Sequence, residues 1–151
     1  MTNYDMTKVL PHKPPMILID DVLDYNLEEK SVSAIVNINE DKLFFDKSIN
    51  GVHSTVGIEF MAQTIGCYSY FRNDMKPPGI GFLLGSRLFN CNIPYFENGK
   101  TYKITAKEIF TDNKLVSFEC LIYNDIDVCA EAVINAYMPA NKIDLIGMLN
   151  G

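Results

Sequence analysis

Residues 54–73 read S-T-V-G-I-E-F-M-A-Q-T-I-G-C-Y-S-Y-F-R-N. Apolar side chains, among them Val56, Phe60, Met61, Ile65, Cys67 and Phe71, occupy most of the helical circumference. Such a helix is predicted to be wrapped by protein on nearly every side. Glu59 lies one turn into it, where a carboxylate is costly to bury unless paired, hydrogen-bonded or protonated. That is the setting of a general acid. The chain has two histidines: His53 at the mouth of this helix, and His12 in L-P-H-K-P-P-M. One embedded acid and two imidazoles point to proton-transfer chemistry.

Outward from the helix, the flanking segments read as strands. Residues 2–9 suit a short helical turn that Pro11 and the Pro14-Pro15 step end. Residues 16–22 are predicted as a first strand and residues 31–38, which alternate, as a second. Residues 39–53 read as irregular. Met75-Lys76-Pro77-Pro78-Gly79 stops the helix. Four strand-like runs follow at 80–92, 101–110, 115–123 and 128–137, joined by turns such as Asp112-Asn113 and Asn124-Asp125. Residues 143–149 suit a terminal helix or a docked arm. Two strands, one long apolar helix and four strands give an α+β domain whose curled antiparallel sheet covers the helix, the arrangement of the hotdog fold.

Composition bounds the class. At 151 residues the chain is expected to form one domain, residues 1–151, with a real core. With 48% hydrophobic and 21% charged residues it reads as an ordinary globular chain. No apolar run reaches the roughly 18 residues of a spanning helix, and the start lacks a signal-peptide pattern, so a cytosolic protein without membrane insertion is expected. A net charge of -6 argues against a nucleic-acid binder. The four cysteines show no C-x-x-C spacing and read as reduced core thiols rather than a disulfide or zinc site.

The local motifs go further. L-P-H-K-P-P-M-I-L-I-D-D-V at 10–22 resembles the opening of the β-hydroxyacyl-acyl-carrier-protein dehydratases, and G-I-E-F-M-A-Q at 57–63 is similar to their central-helix motif. With P-P-M after the first histidine and Leu83-Leu84-Gly85-Ser86-Arg87 on a strand, the chain resembles most a subgroup associated with aryl polyene lipids. The general family carries its histidine in a G-H-F-P-G loop; this chain has F-F-D-K-S-I-N-G-V-H-S at 44–54 instead. Glu59 matches the family acid and Gln63 the motif glutamine.

The resemblance implies a hotdog homodimer or higher oligomer that dehydrates 3-hydroxyacyl thioesters. These would be carried on the phosphopantetheine of acyl carrier protein, with no further cofactor and no metal. Glu59 is then expected to protonate the leaving hydroxyl, with His12 or His53 removing the α-proton. Six residues of helix separate His53 from Glu59 by about 9 Å of rise, so direct contact between these two within one chain is not expected. Gly57 is expected to let substrate approach, helix N-terminal N–H groups to hold the thioester oxygen, and Gln63, Gly85 and Arg87 to contribute to substrate binding. An acyl-thioesterase on the same scaffold and a non-catalytic acyl-binding subunit are the rival readings.

Overall fold

A computed structural model describes residues 4–75, 82–112 and 115–137, at 82–84 and 86–88 for the backbone alone. The chain opens with a one-turn helix α1, Met6–Val9, capped by Asp5, whose carboxylate accepts from the Thr7 N–H at 3.0 Å. Then come strands β1, Asp21–Asn26, and β2, Ser31–Asn37. Two short strands follow, β3 (Phe45–Asp46) and β4 (Gly51–His53). A single 3-10 turn, Ser54–Val56, leads into the long helix α2, Gly57–Arg72. Beyond it lie β5 (Phe82–Cys91), β6 (Tyr95–Glu97), β7 (Thr101–Asp112), β8 (Leu115–Asn124) and β9 (Asp127–Tyr137).

Six strands pair antiparallel in the order β1-β2-β7-β8-β9-β5, while β3, β4 and β6 form a small second sheet. Alternation along β2, β7 and β8 puts Val32, Ala34, Val36, Ile104, Phe118 and Ile122 on the inner face, all buried. That face lies on α2, which packs against β1, β2, β7, β8 and β9. The helix answers with Phe60, Met61, Ile65, Cys67, Tyr68 and Phe71, all buried. Each large apolar side chain so enclosed contributes about 1.5–3 kcal/mol. Bulges in β1, β5 and the β7–β8 pair add local twist and help the sheet curl around the helix. This is the hotdog architecture, with the expected α+β class.

Four sequence expectations are revised. Residues 16–19 do not pair as a strand; Leu18 and Ile19 donate to Oε1 of Gln63 and Leu18 O accepts from Lys42 Nζ, and pairing with β2 starts only where the Asp20 N–H donates to Ile35 O at 2.9 Å. They form a strap across α2, and β1 begins only at Asp21. The segment 39–53 is not wholly irregular; β3 and β4 join β6 to cover the start of α2 with buried Val52 and Phe96. The strand β6 itself was not foreseen, being three residues long. Finally, α2 ends at Arg72, followed by Asp74 and Met75 at φ 56° and 59°, a left-handed pair that redirects the chain before the Pro77-Pro78 step. The readings for residues 76–81 and 143–149 lie outside the described residues.

All four cysteines are free thiols, and burial pushes Cys67 and Cys120 up to about 12 and Cys129 up to about 11. Among the described residues no helix is long and apolar enough to cross a membrane.

Candidate active site

Glu59 sits in the first turn of α2, where the helix emerges from beneath the sheet. The expectation of a sealed carboxylate is corrected: 38% of its side chain is exposed, at a cleft of about 230 Å³ lined by Met16, Phe44, Thr55, Val56 and Glu59 itself. Gln63, one turn later on the same face, is fully enclosed at 0% exposure.

His12 comes to Glu59 within the same chain. The strap places its Nε2 3.8 Å from Glu59 Oε1, with 32% of the histidine side chain exposed. That separation is longer than a hydrogen bond. His12 Nδ1 is buried and has no hydrogen-bond partner among the described residues.

His53 is placed differently. It ends β4, is exposed, and its Nδ1 caps the 3-10 turn, accepting from the Thr55 N–H at 3.2 Å and lying 3.0 Å from Thr55 Oγ1. Of the two imidazoles offered by the sequence, the tertiary structure brings only His12 to Glu59 of its own chain.

Two substrate-binding expectations are corrected. Gly57 does not open the helix to a ligand: a Cβ there would meet Phe96 Cζ at 3.1 Å, Ile122 Cδ1 at 3.2 Å and Phe89 Cζ at 3.3 Å. Its glycine serves close packing of helix on sheet, and its N–H is taken by Ser54 O. Gln63 is likewise occupied by protein, donating from Nε2 to Met16 O at 2.8 Å and to Glu59 Oε1 at 3.2 Å. Its Oε1 accepts from Leu18 N at 2.8 Å and Ile19 N at 3.3 Å.

Gly85 is exposed on β5, at a bulge and with φ 154°, and is not among the residues lining the cleft. The Arg87 backbone pairs with Val133; its side chain lies outside the described residues. The N-terminus of α2 starts at the cleft beside Thr55 and Val56, and no side chain caps it. With the Gly57 N–H already bonded to Ser54 O, the helix start offers a developing negative charge the positive end of its dipole.

Sequence reasoning missed the apolar lining, Met16 and Phe44, which are 46% and 44% exposed. The signal was an apolar residue directly after Pro14-Pro15 and a Phe44-Phe45 pair in a polar loop. It also missed Lys42, only 11% exposed, which clamps the strap from the other side through Leu18 O at 2.9 Å and Asp20 Oδ2 at 2.7 Å. A third omission is Glu108, 5% exposed and held between Arg72 at 3.2 Å and Lys30 at 3.4 Å, away from the cleft. Among the described residues no cluster of three or more His, Cys, Asp or Glu could hold a metal ion.

A curled antiparallel sheet around one helix, with a carboxylate and an imidazole meeting at its N-terminal turn, defines a hotdog protein with a candidate acid–base site. Residues 4–147 match the model of the ApeP-like family, described as ApeP dehydratase, and the chain belongs to that family. A 3-hydroxyacyl-[acyl-carrier-protein] dehydratase FabZ of Shewanella sp. (strain W3-18-1) is 40% identical over 88 residues, which are 53% of this chain and 56% of the relative. The chain thus spans about half the length of the curated relatives it matches. Among solved structures, the dehydratase heterocomplex ApeI:P from Xenorhabdus doucetiae matches with TM-score 0.83 and 28% identity, over 99% of this chain and 100% of that one. An uncharacterized protein from Pyrococcus horikoshii shares the fold alone, with TM-score 0.66 and 13% identity over 93% and 97% of the two chains.

Proposed function

We propose that this chain is a dehydratase that converts 3-hydroxyacyl-acyl-carrier-protein to trans-2-enoyl-acyl-carrier-protein in fatty acid or aryl polyene-type lipid biosynthesis. One observation carries the reading: Nε2 of His12 meets Oε1 of Glu59 at 3.8 Å, beside a cleft lined by Met16, Phe44 and Val56. Membership of a dehydratase family supports it.

Elimination of water requires loss of the α-proton and protonation of the departing hydroxyl. Glu59 delivers the proton to that hydroxyl. The acyl chain lies along the apolar lining, and the uncapped start of α2 stabilises the charge that gathers on the thioester oxygen. The thioester reaches the cleft on the phosphopantetheine of acyl carrier protein in the cytoplasm, and residues 1–151 act as one hotdog domain. A second hotdog chain, identical or related, closes the exposed side of Glu59; the Xenorhabdus neighbour is itself a heterocomplex.

The test is turnover of a 3-hydroxyacyl thioester by the purified protein, followed as enoyl product. Glu59→Gln is expected to lower kcat about 10²–10⁴-fold. Equal turnover by both proteins removes Glu59 from the chemistry, and release of free thiol without enoyl product marks a hydrolase instead.

A further inference from the structure

The exposed apolar lining of the cleft comes from two separate segments. Met16 lies on the strap, and Phe44 lies in the loop between β2 and β3. The rest of the lining, Thr55, Val56 and Glu59, belongs to the entry into α2 and its first turn. Neither Met16 nor Phe44 is part of a strand, so sheet pairing does not fix the spacing between them.

Lys42 joins the two segments. Its carbonyl accepts from the Phe45 N–H at 3.0 Å, which closes a tight turn with Leu43 and Phe44 at its corners, 40% and 44% exposed. From the start of that turn its side chain reaches back to the strap. Nζ donates to Leu18 O at 2.9 Å, just beyond Met16, and to Asp20 Oδ2 at 2.7 Å. The same Asp20 oxygen accepts from the Asn37 N–H at 2.6 Å, at the end of β2. The lysine side chain is only 11% exposed, so little water competes for these bonds. Leu18 is therefore held at its N–H by Gln63 and at its carbonyl by Lys42.

We infer that Lys42 is a positioning residue for the acyl chain: one side chain ties the Phe44 turn to the Met16 strap and sets the spacing into which an alkyl chain fits. This role rests on the dehydratase reading of the cleft and adds a determinant of chain-length preference to it. Lys42 is not among the residues lining the cleft, so it acts through Phe44 and Met16. Apolar contact is sensitive to spacing, since a gap of roughly 0.5–1 Å already forfeits a quarter to a half of it.

The test is the affinity of the full chain for hexanoyl-, octanoyl- and decanoyl-pantetheine, which carry no 3-hydroxyl and so cannot be dehydrated. In wild type each added methylene is expected to tighten binding about fourfold. Lys42→Met keeps the side-chain length and removes its donors, and should reduce that gain to about twofold per methylene. Lys42→Arg, which retains N–H donors, recovers most of the gain. Phe44→Ala lowers it as well, and adding Lys42→Met to Phe44→Ala has little further effect, because the anchor then has no ring to place. A folded Lys42→Met that weakens all three thioesters by the same factor, or losses that add in the double variant, leaves Lys42 a purely structural contact and overturns the assignment. So does a wild type whose affinity does not rise with chain length. If the chain-length pattern holds but wild type dehydrates no 3-hydroxyacyl thioester, the dehydratase reading falls and the positioning role of Lys42 stands.

Discussion

The side-chain amide of Gln63 donates to the backbone carbonyl of Met16 at 2.8 Å, 47 positions away in the chain, and so supplies to the strap a bond that a neighbouring strand would otherwise provide. The same amide also satisfies Leu18 and Ile19 and reaches Glu59.

Replacing Gln63 with Leu leaves those strap groups buried and unpaired while keeping most of the volume. Each buried group left without a partner costs about 1–3 kcal/mol. We expect Gln63→Leu to lose at least about 2 kcal/mol in urea unfolding, with faster amide exchange at Leu18 and Ile19. Unchanged exchange at both amides would show that the strap is held by other contacts.

Gly57→Ala tests the correction made at the helix start. The added methyl meets three core side chains at 3.1–3.3 Å, so the expected result is overpacking, a loss of about 1–3 kcal/mol, with KM little altered. A raised KM at full stability would restore the reading of Gly57 as an opening for substrate.

Alkaline pH should destabilise the chain through its buried thiols. Cys67 and Cys120 ionise at about 12 when folded, against an ordinary value of 9.0. Between those values the folded state keeps protons that the unfolded state releases, so stability is full below 9.0 and falls as pH rises towards 12. The slope is about 1.4 kcal/mol per pH unit for each thiol. The buried phenols Tyr68 and Tyr102, both raised mainly by burial, add in the same direction at higher pH. Urea unfolding across this range should show a shallower decline for Cys120→Ala than for wild type, even if the variant is less stable at neutral pH. An identical slope would place the alkaline loss elsewhere.

The apolar circumference of residues 54–73 was enough to predict a wrapped helix, and alternation at 31–38 with the turn-separated runs at 101–110, 115–123 and 128–137 was enough to predict strands around it. Both patterns are local consequences of side-chain periodicity, and β2, α2, β7, β8 and β9 all follow them. Residues 16–19 misled for a physical reason. A run such as Met16-Ile17-Leu18-Ile19 has the composition of a strand, yet its backbone partners are Gln63 and Lys42 from distant parts of the chain. No local pattern announces a side chain that acts as a strand edge.

The candidate site divides in the same way. From residue order alone came the acid in the helix, the two histidines and the motifs around them, because a charge amid apolar neighbours is conspicuous in one dimension. Which histidine meets Glu59, which of its oxygens is held, and whether Gly57 and Gln63 face ligand or protein were decided only by the packing of strap, helix and sheet. Those relationships join residues far apart in the chain, and their distances are set when α2 is enclosed by the curled sheet and the strap is tied across it.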